Sequence, residues 1–252
     1  MNERRWDVIG GTAGIAYGAL TLIGWFCWGT SAGTSVGGFF GDGGIPELDA
    51  PPAQVAQWYA DHQLINWIGF VFFSLAILPY LIFLGRMRSI LAMAEGGSAT
   101  GTSIYSIGAT VGSMLPVMYV TFFWMAGYRP GEVSPEITQA MQDIVMQTGP
   151  AGCMGWVAMF IGIAVVVLTS GGLPRILGWL AIPVGACQLL YIGQGFAKNG
   201  LFSGIDGVLG AFVPYGTYLA WIIATGAVLI RRGSGPWTAA VRPEAPPVRT
   251  AG

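Results

Sequence analysis

Six apolar stretches, spanning 9–28, 64–84, 103–126, 146–170, 173–196 and 207–230, decide what this chain can fold into. Each reaches the roughly 20 residues that carry a helix across a hydrocarbon core of about 30 Å. Charged residues make up 9% of the chain, against about 25% in a soluble domain, which is too few to cover a water-facing surface. The hydrophobic share of 54% and the mean hydropathy of +0.62 point to a surface that faces lipid instead. A membrane barrel would show alternation over strands of about ten residues, which these continuous runs lack. The predicted fold is therefore all-α: a polytopic membrane helix bundle of six transmembrane helices arranged as three outward-opening hairpins. The first stretch, preceded by Arg4 and Arg5, is longer than the 7–15 residues of a signal-peptide core and is read as a retained helix.

Orientation follows from the basic residues. Arg4, Arg5, Arg86, Arg88, Arg175, Arg231, Arg232, Arg242 and Arg249 fall on one side of the predicted spans, and only Arg129 and Lys198 on the other. The positive-inside rule then places both termini in the cytoplasm. Residues 1–8 form a short cytoplasmic N-terminus, 9–230 the six-helix domain, and 231–252 a cytoplasmic tail. The tail holds Pro236, Pro243, Pro246 and Pro247 among small and polar residues, and its composition predicts disorder.

The outer connections carry helix-start signals. Pro51-Pro52 precedes a run with Val55, Trp58 and Tyr59 at helical spacing, and Ser134-Pro135-Glu136 reads as an N-cap, a first-turn proline and a first-turn acid. Ser203-Gly204-Ile205-Asp206 fits a capping box. Each outer loop is thus expected to start a helix that feeds the returning span. Pro79, Pro116, Pro183 and Pro214 fall inside spans and predict kinks, hence a bundle with an internal void. Gly14-x-x-x-Gly18 and Gly108-x-x-x-Gly112 predict close helix approach.

The stretch Ser170-Gly171-Gly172-Leu173-Pro174-Arg175-Ile176-Leu177-Gly178 resembles the S-G-x-L-P-R-x-L-G signature of a family of bacterial, actinobacterial-type six-helix membrane proteins without an assigned function. The first outer loop, Pro51 to Ala60, is similar in style. The resemblance implies a six-helix fold in a bacterial cytoplasmic membrane and brings no catalytic residues. Locally, Gly171-Gly172 and Pro174 spell a tight inner turn, with Arg175 anchoring the next helix at the headgroups.

The chemistry is defined mostly by exclusion. No acidic or basic side chain lies in the middle of any stretch, which argues against an ion-coupled transporter or a buried acid catalyst. There is no G-x-S-x-G, and a single His leaves a triad without a partner. Cys27, Cys153 and Cys187 show no zinc spacing, so no metal site and no cofactor are predicted. Three free thiols are expected, with a Cys27–Cys153 disulfide as the alternative. A net charge of −1 gives no basic patch for nucleic acid.

Two polar groupings remain. Asp61, His62, Asp143 and Asp206 all lie at the outer ends of spans, where they would form an acid/base set if the hairpins bring them to one mouth. Acids at helix N-termini also offset the helix dipole, and that structural role explains the same positions. The second grouping is uncharged: Tyr105, Ser106, Thr110, Ser113 and Tyr119 in the third stretch, Gln188, Tyr191 and Gln194 in the fifth, and Tyr215 and Tyr218 in the sixth. Facing inward, Tyr105, Tyr119, Gln188, Tyr191, Gln194, Tyr215 and Tyr218 would line a ligand-binding cavity; the alternative is hydrogen bonding between helices. The sequence therefore leaves three readings open. One is a membrane module that binds a small lipophilic molecule or a partner membrane protein, the second an enzyme acting at the outer surface, and the third an uncoupled facilitative carrier.

Overall fold

The computed structural model describes residues 3–32, 45–97, 99–205 and 207–234. Among these residues the chain is helical throughout, with α1 (Glu3–Ala32), α2 (Pro52–Asp61), α3 (Gln63–Glu95), α4 (Thr100–Tyr128), α5 (Pro135–Thr169), α6 (Arg175–Gln188), α7 (Tyr191–Gln194) and α8 (Val213–Ser234). Six helical spans are long and apolar enough to cross a bilayer. Their outward faces are apolar to a degree no aqueous surface tolerates: Leu78, Ile107 and Trp179 are each at least 60% exposed. The chain is an integral membrane protein.

The spans close into a ring in chain order. α1 packs on α3, α3 on α4, α4 on α5, α5 on α6, α6 on α8, and α8 returns to α1. Two seams depend on glycine. Along α4 and α5, a Cβ at Gly108 would stand 2.4 Å from the Met159 backbone nitrogen, and one at Gly155 would stand 2.7 Å from that of Gly112. The two backbones approach to a distance that only glycine permits. The expected Gly14-x-x-x-Gly18 motif behaves differently, because Gly14 faces Phe83 on α3 while Gly18 faces Ile223 on α8. It serves two interfaces, whereas Gly108 and Gly112 serve one.

The inner end, where both ends of the described chain meet, is held by charge. Asp7 and Arg86 are 4% and 6% exposed. Arg86 donates to Asp7 Oδ1 from Nε at 2.9 Å and from Nη2 at 2.6 Å. Its Nη1 lies 2.8 Å from Glu3, and Arg232 Nε lies 3.4 Å from the other Asp7 oxygen. Arg232 also donates to the Gly172 carbonyl. This network joins α1, α3, α8 and the inner turn before α6. Arg86 and Arg232, which the sequence shows only as basic residues on one side of the spans, are partners of a buried carboxylate.

The inner connections are built as expected or better. Gly171 and Gly172 take φ of 86° and 85°, the left-handed region that the tight turn needs. Across the other inner turn, Glu95 accepts from the backbone N–H groups of Gly101 and Thr102 at 2.7 and 2.8 Å, so the last residue of α3 caps the start of α4.

Two of the three expected outer helix starts are present. α2 begins at Pro52 and breaks only at His62 before α3, and α5 begins at Pro135 with Ser134 in extended geometry, although the Ser134 side chain makes no cap bond. The third differs. The Ser203 hydroxyl accepts from the Ile205 N–H at 3.2 Å, an i to i+2 turn, and helix resumes only at Val208 as a π-helical turn, Val208–Phe212, leading into α8. The fifth span is likewise not continuous: α6 ends at Gln188 and one further turn, α7, completes it. No disulfide joins any of the three cysteines, which removes the Cys27–Cys153 pair.

Candidate functional site: an aromatic cavity under an outer cap

The ring does not fill its outer half. A cavity of about 300 Å³ lies there, lined by all six spans and by the connection before α8. From α1 come Tyr17, Thr21 and Trp25; from α3, Phe73, Ala76 and Tyr80; from α4, Leu115, Pro116 and Tyr119. From α5 come Val145, Thr148, Gly149 and Trp156, joined by Tyr191 and Gln194 of α7, and by Phe212 and Tyr215. The volume is at the lower end of small-molecule sites, and apolar walls with few polar groups are typical of them.

Helix irregularities make the walls. The π-helical turn supplies Ala211 and Phe212, the break between α6 and α7 presents Tyr191 and Gln194, and Pro116 removes one backbone donor within α4. The aromatic rings are locked against each other. Tyr17 stacks on Tyr80 at 4.7 Å, Trp25 on Tyr215 at 4.9 Å, and Trp156 lies 5.6 Å from Tyr191. The Tyr17 and Tyr215 hydroxyls are 3.1 Å apart, and Tyr218 donates to Tyr80 at 2.5 Å. These bonds engage the wall hydroxyls of Tyr17, Tyr80 and Tyr215, while Thr21 Oγ1 in the same wall has no hydrogen bond of ordinary geometry.

What they leave is specific. Gln194 is 5% exposed, its Nε2 reaches only the Met146 sulfur at 3.8 Å, and its Oε1 accepts no hydrogen bond. The side chain lies between two glycines that also line the cavity. A Cβ at Gly149 would stand 2.7 Å from Oε1, and one at Gly204 would stand 1.9 Å from Nε2. Trp156 Nε1, near the Tyr80 hydroxyl, has no hydrogen bond of ordinary geometry. Among the described residues no Asp, Glu, Lys, Arg or His lines the cavity.

A cap covers the outer end. Ile45 and Leu48, with Val55, Trp58 and Tyr59 of α2, pack on Phe123, Ala126, Val145, Met146 and Ile205. Gln139 and Gln142 on α5 each donate at 3.1 Å to the carbonyls of Ala50 and Pro46, and Asn199 donates to Asp49 at 3.1 Å. Val145 and Ile205 belong both to this cluster and to the cavity wall, so the cap sits directly on the cavity. Burial pushes the Tyr59 phenol well above its ordinary pKa, and it stays neutral in the cap.

Of the uncharged residues singled out in the sequence, Tyr119, Tyr191, Gln194 and Tyr215 line the cavity. Tyr105, Gln188 and Tyr218 do not. Tyr105 donates to the Leu84 carbonyl at 3.0 Å, Gln188 to those of Val184 and Pro214 at 3.0 Å, and Tyr218 to Tyr80, so these three join helices. The hydroxyls of Ser106, Thr110 and Ser113 return to carbonyls one turn earlier in α4. Tyr17, Thr21, Trp25, Tyr80 and Trp156 were missed; their signal was aromatic residues toward the middle of spans, where the interfacial belts do not reach.

Asp61, His62 and Asp143 do not line the cavity. Asp61 accepts from Gln57 on its own helix at 2.8 Å, and His62 contacts the Trp58 carbonyl at 2.9 Å while stacking on its ring. Asp143 is exposed on α5, with Lys198 as its nearest opposing charge. No hydrogen bond or ion pair joins Asp61 or His62 to Asp143, and Asp206 lies outside the described residues. Among the described residues no three His, Cys, Asp or Glu side chains group as a metal site would require. Comparison with known protein families, curated proteins and solved structures finds no match to this chain.

Proposed function

We propose that this integral membrane protein binds a small, uncharged lipophilic molecule in its outer half. The observation that carries the reading is the cavity itself: aromatic walls from every span and, among the described residues, no ionisable group other than tyrosine. Burying a charge there would cost several kcal/mol without a partner, whereas an apolar solute gains about 25 cal/mol for each Å² it removes from water. A carrier is less well supported, because the wall below the cavity is closed by the Tyr80–Tyr218 pair and the inner end by the Asp7 network. An outer-surface enzyme is less well supported too, since Asp61, His62 and Asp143 are held apart from the cavity. We assign the protein to a bacterial cytoplasmic membrane, and to the uncharacterised six-helix family, on the strength of the 170–178 stretch and the basic-residue bias.

Trp25 and Trp156 in the wall provide the test. A naphthalene probe titrated into the purified protein should quench tryptophan fluorescence to saturation, beyond what protein-free micelles explain. Filling the wall with Ala211→Phe should weaken that binding at least tenfold while leaving the thermal transition within a few degrees of wild type. Probe binding that is indifferent to this substitution sinks the reading.

A further inference from the structure

We propose that the molecule held in this cavity carries a hydroxyl or N–H group, and that Gln194 Oε1 is the acceptor that selects it. This rests on the cavity being a binding site, and adds the chemical class of its occupant.

The position of Gln194 depends on its neighbours. Two glycines, Gly149 on α5 and Gly204 in the last outer connection, leave the slot in which its amide lies, and any larger residue at Gly204 would overlap it. The short α7 turn, which follows the break after Gln188, directs Gln194 to the wall; Tyr191, one turn earlier, flanks the Gly149 side of the slot. The amide nitrogen faces the Met146 sulfur, a weak acceptor, and the amide oxygen, beside the cavity-lining Gly149, accepts no hydrogen bond. A buried acceptor without a donor costs roughly the desolvation of that group, and a ligand that brings a donor recovers it.

The rest of the wall narrows the class. The hydroxyls of Tyr17 and Tyr215 are paired, as are those of Tyr80 and Tyr218, so each pair offers the ligand at most one O–H, and Thr21 Oγ1 in the same wall is open to donate or accept. Trp156 Nε1 offers a donor in the same wall. A hydroxyl suits both, since it donates and accepts. An ether of the same shape can only accept, and so meets Trp156 but not Gln194. A quaternary ammonium group would be drawn to aromatic faces, yet among the described residues no carboxylate lines the cavity to offset its charge. The preferred occupant is therefore a neutral aromatic or polycyclic alcohol, phenol or amide.

Three probes of one shape separate the possibilities: 2-naphthol, 2-methoxynaphthalene and 2-naphthyltrimethylammonium. Dissociation constants are read by tryptophan quenching against protein-free micelles. The wild-type protein should bind the naphthol about tenfold more tightly than the ether. Gln194→Met, which keeps chain length and packs beside Met146, should bring the naphthol down to the ether's affinity and leave the ether unchanged. Gln194→Asn, which keeps the amide but withdraws it from the slot, should do the same and guards against a packing defect in the first variant. Equal affinities in the wild type overturn the selection while leaving the cavity reading standing. So does a naphthol preference that survives both variants, or tighter binding of the ether or of the ammonium probe. If none of the three saturates, and Ala211→Phe changes nothing, the cavity reading itself has failed.

Discussion

The two halves of the bundle solve the problem of polar groups in a membrane in opposite ways. The inner half admits full charges and satisfies them: Asp7 takes both guanidinium groups, and Glu3 and the Gly172 carbonyl occupy the remaining donors. The cavity of the outer half shows no charge among the described residues, pairs several of its phenols, and leaves the oxygen of Gln194, the indole N–H of Trp156 and the hydroxyl of Thr21 without hydrogen bonds of ordinary geometry. One end is finished by its own residues. The other is finished only with something added, and this difference separates a structural pole from a candidate binding pole.

The comparison can be broken most completely at the level of orientation. In a cysteine-free background, Ser134→Cys and Ser170→Cys, both exposed and at opposite ends of α5, should react with an impermeant thiol reagent from opposite sides of intact cells, Ser134→Cys from outside. Labelling of both from one side would dissolve the distinction between the two poles. Next in size is the inner network. Asp7→Leu should destabilise the purified protein by about 3–5 kcal/mol, because it strands the buried Arg86. Asp7→Leu combined with Arg86→Met should recover much of that loss, a thermal-unfolding cycle whose non-additivity measures the pairing. An Asp7→Leu protein as stable as wild type would show that the inner end is not held by charge. The smallest effect belongs to the rim. His62→Ala and Asp61→Asn should each shift stability by less than about 0.5 kcal/mol and leave probe affinity unchanged, since both side chains are served by their own helix. A marked loss of probe binding in either would move the site from the cavity to the mouth.

Span number and helical architecture were legible because they depend on composition over 20 residues, where single errors average out. The starts of α2 and α5 were legible from Pro52 and Pro135, whose missing N–H suits a first turn. Asp7 was not, because a carboxylate that follows Arg4, Arg5 and Trp6 ahead of the first predicted span reads as solvated, and only the neighbouring α3 and α8 reveal that it is buried. Tyr105 and Tyr119 read identically in sequence, yet a register of 14 residues along α4 places one against the Leu84 carbonyl and the other at the cavity. The cavity acceptor at Gln194 was legible, but Gln188, two turns earlier on the same face, donates instead across to α8. The break between α6 and α7 separates their roles, and no proline or glycine at 189–190 announces it.

The closed ring has a consequence for how the molecule is made. Each span meets its chain neighbour as it emerges from the ribosome, but α8 supplies two things at once when it arrives last: the final cavity wall, through Phe212 and Tyr215, and the arginine that occupies the second oxygen of Asp7. Until then the first helix waits with half of its carboxylate unclaimed. Completion of the pocket and completion of the ion latch are thus one event in biogenesis, and a chain stalled before its last helix would present neither.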